Sequence, residues 1–186
     1  MEQNSQAHRD GLHMQIEEAY GRIVYTYTAH WKKVDTLTKK NRAIKHAQIT
    51  LSAISSGGFI GALISNEFIL TCIGGIVSTL LLALNLYFKD FNLNVDIAKH
   101  TAAANALWRI REDYISLLTD FPSMSISEIC AKRDELQAAT ADVYEISPGT
   151  DAKSYEAAQK ALKNDEEQFF SREELNALLP IHLRSR

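Results

Sequence analysis

The sequence predicts an all-α membrane protein. A two-helix transmembrane hairpin joins a long N-terminal cytoplasmic helix to a C-terminal cytoplasmic helical region. Three observations predict it. Residues 47–66 and 68–88 carry no charged residue, and Glu67 alone interrupts them. Elsewhere apolar residues recur at spacings of four and three, and no segment alternates with period two for long enough to be a strand. Pro 3 and Gly 8 in 186 residues are too few for a chain of many tight β-turns.

The N-terminal helix comes first, over residues 1–46. Ile16, Tyr20, Ile23, Tyr27, His30, Val34, Leu37, Asn41 and Ile44 follow a 4,3 spacing without interruption. That is a coiled-coil-type seam of about four heptads. Two partners fit it. One is another copy, with Ile16, Ile23, Val34 and Asn41 as assembly residues and Asn41 setting the register. The other is the chain's own later helices.

The hairpin occupies residues 47–88, with spans 47–66 and 68–88. Runs of 20 and 21 residues reach about 30 Å as helices, the thickness of a bilayer's hydrocarbon core. The second run is strongly apolar. The first is weaker, with four serines and three glycines. A start beyond residue 46 is too deep for a signal peptide. Only Asn66 and Glu67 separate the spans, so both chain ends fall on one side. Lys32, Lys33, Lys39, Lys40, Arg42 and Lys45 stand against Asp35 just before the first span, whereas the far turn holds only Glu67. The positive-inside rule therefore places both termini in the cytoplasm, with Glu67 outside, as a two-span chain.

The C-terminal region, residues 89–186, reads as further helices. Ala103, Leu107, Ile110, Tyr114, Leu117 and Phe121 form one stripe over 93–121, with Trp108 beside it, and Pro122 stops that helix. Ser125 with Glu128 is a capping-box pattern. It opens a helix to about Ile146, with Ile129, Leu136, Val143 and Ile146 on one side. Pro148-Gly149 is a break. The spacing of Tyr155, Ala158, Leu162 and Phe169 predicts a helix from about Asp151 to Phe170. Ser171 with Glu174 opens a short last helix ending at Pro180.

The averages hide this division. Mean hydropathy is −0.18 and net charge −3, as for an ordinary soluble domain. Through Lys45 the chain has 8 Lys/Arg against 5 Asp/Glu; from Lys89 it has 12 against 17. A basic membrane-entry helix and an acidic tail attract one another. Two cysteines, Cys72 and Cys130, are too few for a disulfide scaffold.

Motifs for chemistry do not assemble. There is no phosphate-binding glycine loop and no dinucleotide fingerprint. The six histidines make no HExxH pattern and do not cluster with cysteine. No catalytic residue, cofactor, metal site or direct nucleic-acid contact is expected. The hairpin is more informative. Gly57 and Gly61 form a GxxxG pair, and Gly74 and Gly75 begin small-residue spacings with Ser78 and Thr79; such faces let helices approach closely. Thr71, Ser78 and Asn85 share one face of the second span, and Gln48, Ser52 and Ser55 form a polar stripe on the first. Three uses are open: lining a pore (Ser52, Ser55, Thr71, Ser78 and Asn85), packing between helices, or hydroxyls bonded to their own backbone.

The segments YFKDFNLNVDIAKH (87–100), ALWRIREDYISLLTDF (106–121), KRDEL (132–136) and SYEAAQKALKNDEEQFFSREELNALLP (154–180) resemble the SLATT family of bacterial two-transmembrane-helix effectors. The match is closest to the subgroup encoded beside reverse transcriptases, and it covers residues 12–184. The resemblance implies a non-enzymatic effector of an anti-phage system. Its partners are the lipid bilayer, further copies of itself, and a reverse transcriptase or a nucleotide-second-messenger system. It would oligomerise and form a pore or otherwise disrupt the inner membrane when activated. The alternative is a non-conducting anchor that scaffolds a cytoplasmic partner enzyme. These segments are structural, so no active site carries over.

Overall fold

The computed structural model describes residues 2–65, 68–90 and 92–184. Among them run six α-helices and no strand: α1 (Glu2–Ser65), α2 (Phe68–Asp90), α3 (Leu93–Asp120), α4 (Ile126–Ile146), α5 (Ala152–Lys163) and α6 (Arg172–Leu178). Short 3-10 turns follow α3, at Phe121–Ser123, and α6, at Ile181–Leu183.

α1 is the spine. Its 64 residues form one helix, about 96 Å long at 1.5 Å per residue. The division at residues 46 and 47 is therefore a change of chemistry and not a break in the helix. The turn expected at Asn66 and Glu67 lies outside the described residues. α2 packs along the last part of α1, and α3, α4 and α5 pack on its earlier part. One stretch among the described residues, Phe68–Ser123, holds a window apolar and long enough to cross a membrane; its mean hydropathy is 2.1 and only 6% of it is buried. α3 carries charges from Asp96 onward, so the apolar part is α2.

The core lies at the end of α1 away from α2. Leu12, Ile16, Ala19 and Ile23 of α1 meet Leu107, Ile110, Tyr114 and Leu117 of α3, with Phe121 and with Ile129 and Leu136 of α4. The α3 stripe read from the sequence is buried from Ala103 to Phe121. Val143 packs at the margin of this core, but Ile146 is 84% exposed and does not join it. Its helix stops there, at Ser147, before anything covers the last turn.

Local chemistry sets most of the helix boundaries. Asn92 caps α3 by accepting from the Val95 backbone N–H. Ser125 and Glu128 form a complete capping box, as do Ser171 and Glu174. α5 begins at the Asp151 cap but ends at Lys163, short of the expected Phe170. Asn164 and Asp165 are weak helix formers, and both turn their backbone N–H groups to the Lys160 carbonyl. Glu166 then takes a left-handed conformation, φ 51°, which ends the helix.

A long-range clamp closes the far end. Arg9 donates from Nη1 to the Met124 carbonyl at 2.9 Å and from Nη2 to the Phe121 carbonyl, and lies over the Phe121 ring at 5.0 Å. These carbonyls belong to the turn that ends α3, where helical partners run out. Arg9→Ala removes two charge-assisted bonds and a cation–π contact, and should cost about 2 kcal/mol. Chemical unfolding of the full chain in detergent measures this; an unchanged midpoint would show that the clamp is idle.

Candidate functional site

The seam of α1 does not stop at Ile44. Continued in steps of seven from Tyr20, it passes Tyr27, Val34 and Asn41 to Gln48 and Ser55. Each of the last three meets a polar partner on the returning chain. Asn41 Nδ2 donates to Asn94 Oδ1 at 2.8 Å. Gln48 Nε2 donates to Asn85 Oδ1 at 2.9 Å. The Ser55 and Ser78 hydroxyls lie 2.5 Å apart. One face of α1 thus packs on α3 and on α2 in turn, and its polar residues become rungs of a ladder.

The two polar stripes are visible in the sequence, but their pairing is easily missed. The signal is that a step of seven up α1, Gln48 to Ser55, is matched by a step of seven down α2, Asn85 to Ser78. Antiparallel helices in seam register require that match.

Most of the expected residues fall on this ladder or beside it. Ile16, Ile23 and Val34 are buried within the chain, and Asn41 is paired to Asn94. These four therefore spend their seam face on the chain's own helices. Ser55, Ser78 and Asn85 form rungs. Thr71 lies on the Ser78 face of α2, two turns away, and is engaged by a contact of its own. Ser52 is exposed on one flank. It lines an open groove of about 490 Å³ with Gln48, Ile49, Ala53, Ser56, Leu81 and Asn85. Gly74 is buried, whereas a Cβ at Gly57, Gly58, Gly61 or Gly75 would meet nothing within 4 Å. The Gly57 face is thus open to close approach by another helix. Thr79 bonds back to the Gly75 carbonyl at 2.9 Å, the local satisfaction that hydroxyls find readily in helices.

The surroundings of the ladder are apolar and uncovered. Ile60, Ile69, Ile76, Leu80 and Leu82 are all more than half exposed. So large an apolar surface is foreign to a soluble monomer and suits lipid. Tyr87 and Phe88 meet edge to face near Lys89, the aromatic and basic pairing of a membrane–water boundary.

Above the ladder, the seam holds a pair that the sequence did not announce. His30 of α1 and His100 of α3 are both buried, with their Nδ1 atoms 2.9 Å apart. Burial first, and the neighbouring His100 second, lower the His30 pKa to about 4. Burial also lowers His100, with Lys33 adding to the effect and Asp96 and Asp151 opposing it. His30 is a polar residue within the otherwise largely apolar and aromatic 4,3 seam of α1. His100 stands one helical step before the α3 stripe, at i−3 from Ala103, and that spacing was the available signal.

The attraction between basic helix and acidic tail takes definite form. Lys33 pairs with Asp151 and Lys32 with Glu167, both at 2.7 Å. The Lys33 ammonium, with the Ser154 side chain and backbone, holds the Asp151 carboxyl well below the usual carboxylate range. Arg111 pairs with Glu112. These basic residues are neutralised on the chain itself. Among the described residues no three His, Cys, Asp or Glu side chains converge in a metal-binding group.

A family model described as SMODS and SLOG-associating 2TM effector domain family 4 matches residues 12–174. No curated protein and no solved structure matches the chain.

Proposed function

The chain belongs to the SMODS and SLOG-associating 2TM effector domain family 4, a membrane effector family of conflict systems, and from that premise we propose that it acts by conduction. Both α2 and the last part of α1 cross the bacterial inner membrane as a hairpin, with the termini in the cytoplasm. Several copies assemble through their hairpins, and activation opens a polar path between them. The reverse-transcriptase association implied by the resemblance of residues 87–100, 106–121, 132–136 and 154–180 belongs to the same reading, as the source of the activating event.

One observation carries the proposal. The groove flanking the ladder presents Ser52 and Ser56 beside Gln48 and Asn85, on a pair of helices that otherwise exposes many large apolar side chains. Polar groups facing hydrocarbon are costly and become favourable against other helices or water. The seam from Ile16 to Asn41 is occupied within the chain, so assembly falls to the hairpin, where the Gly57 face has room for a second helix.

A second reading has an observation of its own. Because Gln48–Asn85 and Ser55–Ser78 satisfy one another inside one hairpin, a single copy can sit in lipid as a non-conducting anchor that scaffolds a partner. Induced expression with a membrane-potential dye separates the two. Conduction predicts loss of potential before growth stops. Growth arrest at full potential would overturn it. Full activity after residues 47–88 are exchanged for an unrelated neutral hairpin would establish the anchor instead.

A further inference from the structure

We propose that residues 164–168 form an autoinhibitory latch on α1; the inhibitory role rests on the conducting reading above, while the latch itself does not. After α5 ends, the chain crosses back over α1 and is held at two points. Glu167 Oε1 pairs with Lys32 Nζ at 2.7 Å. Gln168 Nε2 donates to Thr28 Oγ1 at 2.9 Å, and Thr28 is buried with its own hydroxyl given to the Val24 carbonyl. Together these residues cover a cleft of about 350 Å³, floored by Tyr27, Trp31 and Asp35.

The closed form carries strain. Glu166 has φ 51° and Gln168 φ 73°, and neither is a glycine. A long side chain in the left-handed region is disfavoured by about as much as a part-exposed ion pair or a single hydrogen bond gains. Gain and loss nearly offset, so the closed and open forms lie close in free energy. Beyond the latch the arm has little else to hold it. No residue from 163 to 184 is buried, and Phe169, Phe170, Leu178 and Ile181 are exposed.

The anchor points give the latch its target. Thr28 and Lys32 lie on the same unbroken helix that enters the hairpin, and Lys33 binds the cap of α5 one residue further on. Closed, the latch fastens α5 to α1 at both ends. Opening frees one end and lets α1 shift against α3 and α5. The Lys32–Glu167 pair is exposed enough for salt to screen it, and an incoming carboxylate or phosphate can compete for Lys32.

The test uses the full chain in phosphatidylethanolamine/phosphatidylglycerol vesicles, with amide hydrogen exchange over residues 164–183 and release of an entrapped dye. Glu167→Gln and Lys32→Glu should each speed exchange by a few-fold and increase dye release. The charge-swapped double variant, Lys32→Glu with Glu167→Lys, should restore both. Glu166→Gly relieves the left-handed strain and should slow exchange several-fold. Exchange that ignores Glu167→Gln removes the latch. Exchange that follows the charges while release from leaking wild-type vesicles stays constant removes its inhibitory role. If the vesicles stay tight for every variant while exchange still follows the charges, the latch holds, and the conducting reading falls together with the inhibition built on it.

Discussion

Replacing Gln48 and Asn85 together by leucine should abolish depolarisation while leaving the protein inserted at its normal level. The two amides bond to each other at 2.9 Å, and they border the groove that holds Ser52 and Ser56. Removing both leaves no unpaired polar group, so the monomeric hairpin loses little; two apolar side chains of similar size can replace a hydrogen-bonded pair almost without cost. A conducting path needs the polar edge and should close, with potential lost at least ten times more slowly. Gln48→Leu alone behaves differently. It leaves the Asn85 amide without its partner at the edge of hydrocarbon, at about 1–2 kcal/mol, and should lower the membrane-inserted level. Immunodetection of membrane fractions beside the dye signal reads both effects. Full depolarisation by the double variant would mean that the rung only joins α1 to α2, which is the anchor's requirement.

The sequence reaches far along this chain, and its failures have local causes. Ser125 with Glu128 marks a helix start because a hydroxyl and a carboxylate three residues apart can satisfy two orphan N–H groups, whatever the rest of the fold does. The α3 stripe is legible for a similar reason, since every stripe residue from Ala103 to Phe121 is buried. The seam of α1 is equally regular, yet regularity does not name a partner. Ile16 and Ile23 fit a second copy and α3 equally well until the chain returns along them. α5 was read too long because Phe169 continues the Tyr155–Leu162 spacing, while Asn164 and Asp165 end the helix by local bonding that spacing does not register. The ladder is intermediate. Both stripes can be seen, but only the shared step of seven in opposite directions says that they meet.

Acid should weaken the contact between α1 and α3 by way of the His30–His100 pair. In the folded chain one ring donates and the other accepts, so at least one Nδ1 must remain unprotonated for the 2.9 Å bond to form. The His30 pKa falls from 6.5 to about 4 on folding, through burial first and His100 second. A lowered histidine pKa means that the unfolded chain binds protons before the folded one does. The stability is therefore fully present above pH 6.5, and is lost as pH falls toward the folded value near 4. A shift of that size corresponds to about 3 kcal/mol across the window. The groups that face the pair set the detail. Lys33 on α1 disfavours a charge on His100, while Asp96 on α3 and Asp151 at the start of α5 favour it, so removing either carboxylate should deepen the shift. Unfolding midpoints of the full chain in detergent, measured from pH 7.5 to 4, should fall steeply below pH 6.5. In the double variant His30→Leu with His100→Leu, which leaves neither ring to protonate, most of that slope should vanish. An equal slope in both proteins would show that the pair does not set the acid sensitivity in this window, and Asp151 would not explain it either, since its pKa is lowered and its contribution is lost only at still lower pH. The position of the pair gives the slope a consequence. His30 lies between the core and the Asn41 rung on one continuous helix. Loosening it frees the part of α1 that leads into the hairpin, while Ile16 and Ile23 still hold the far end.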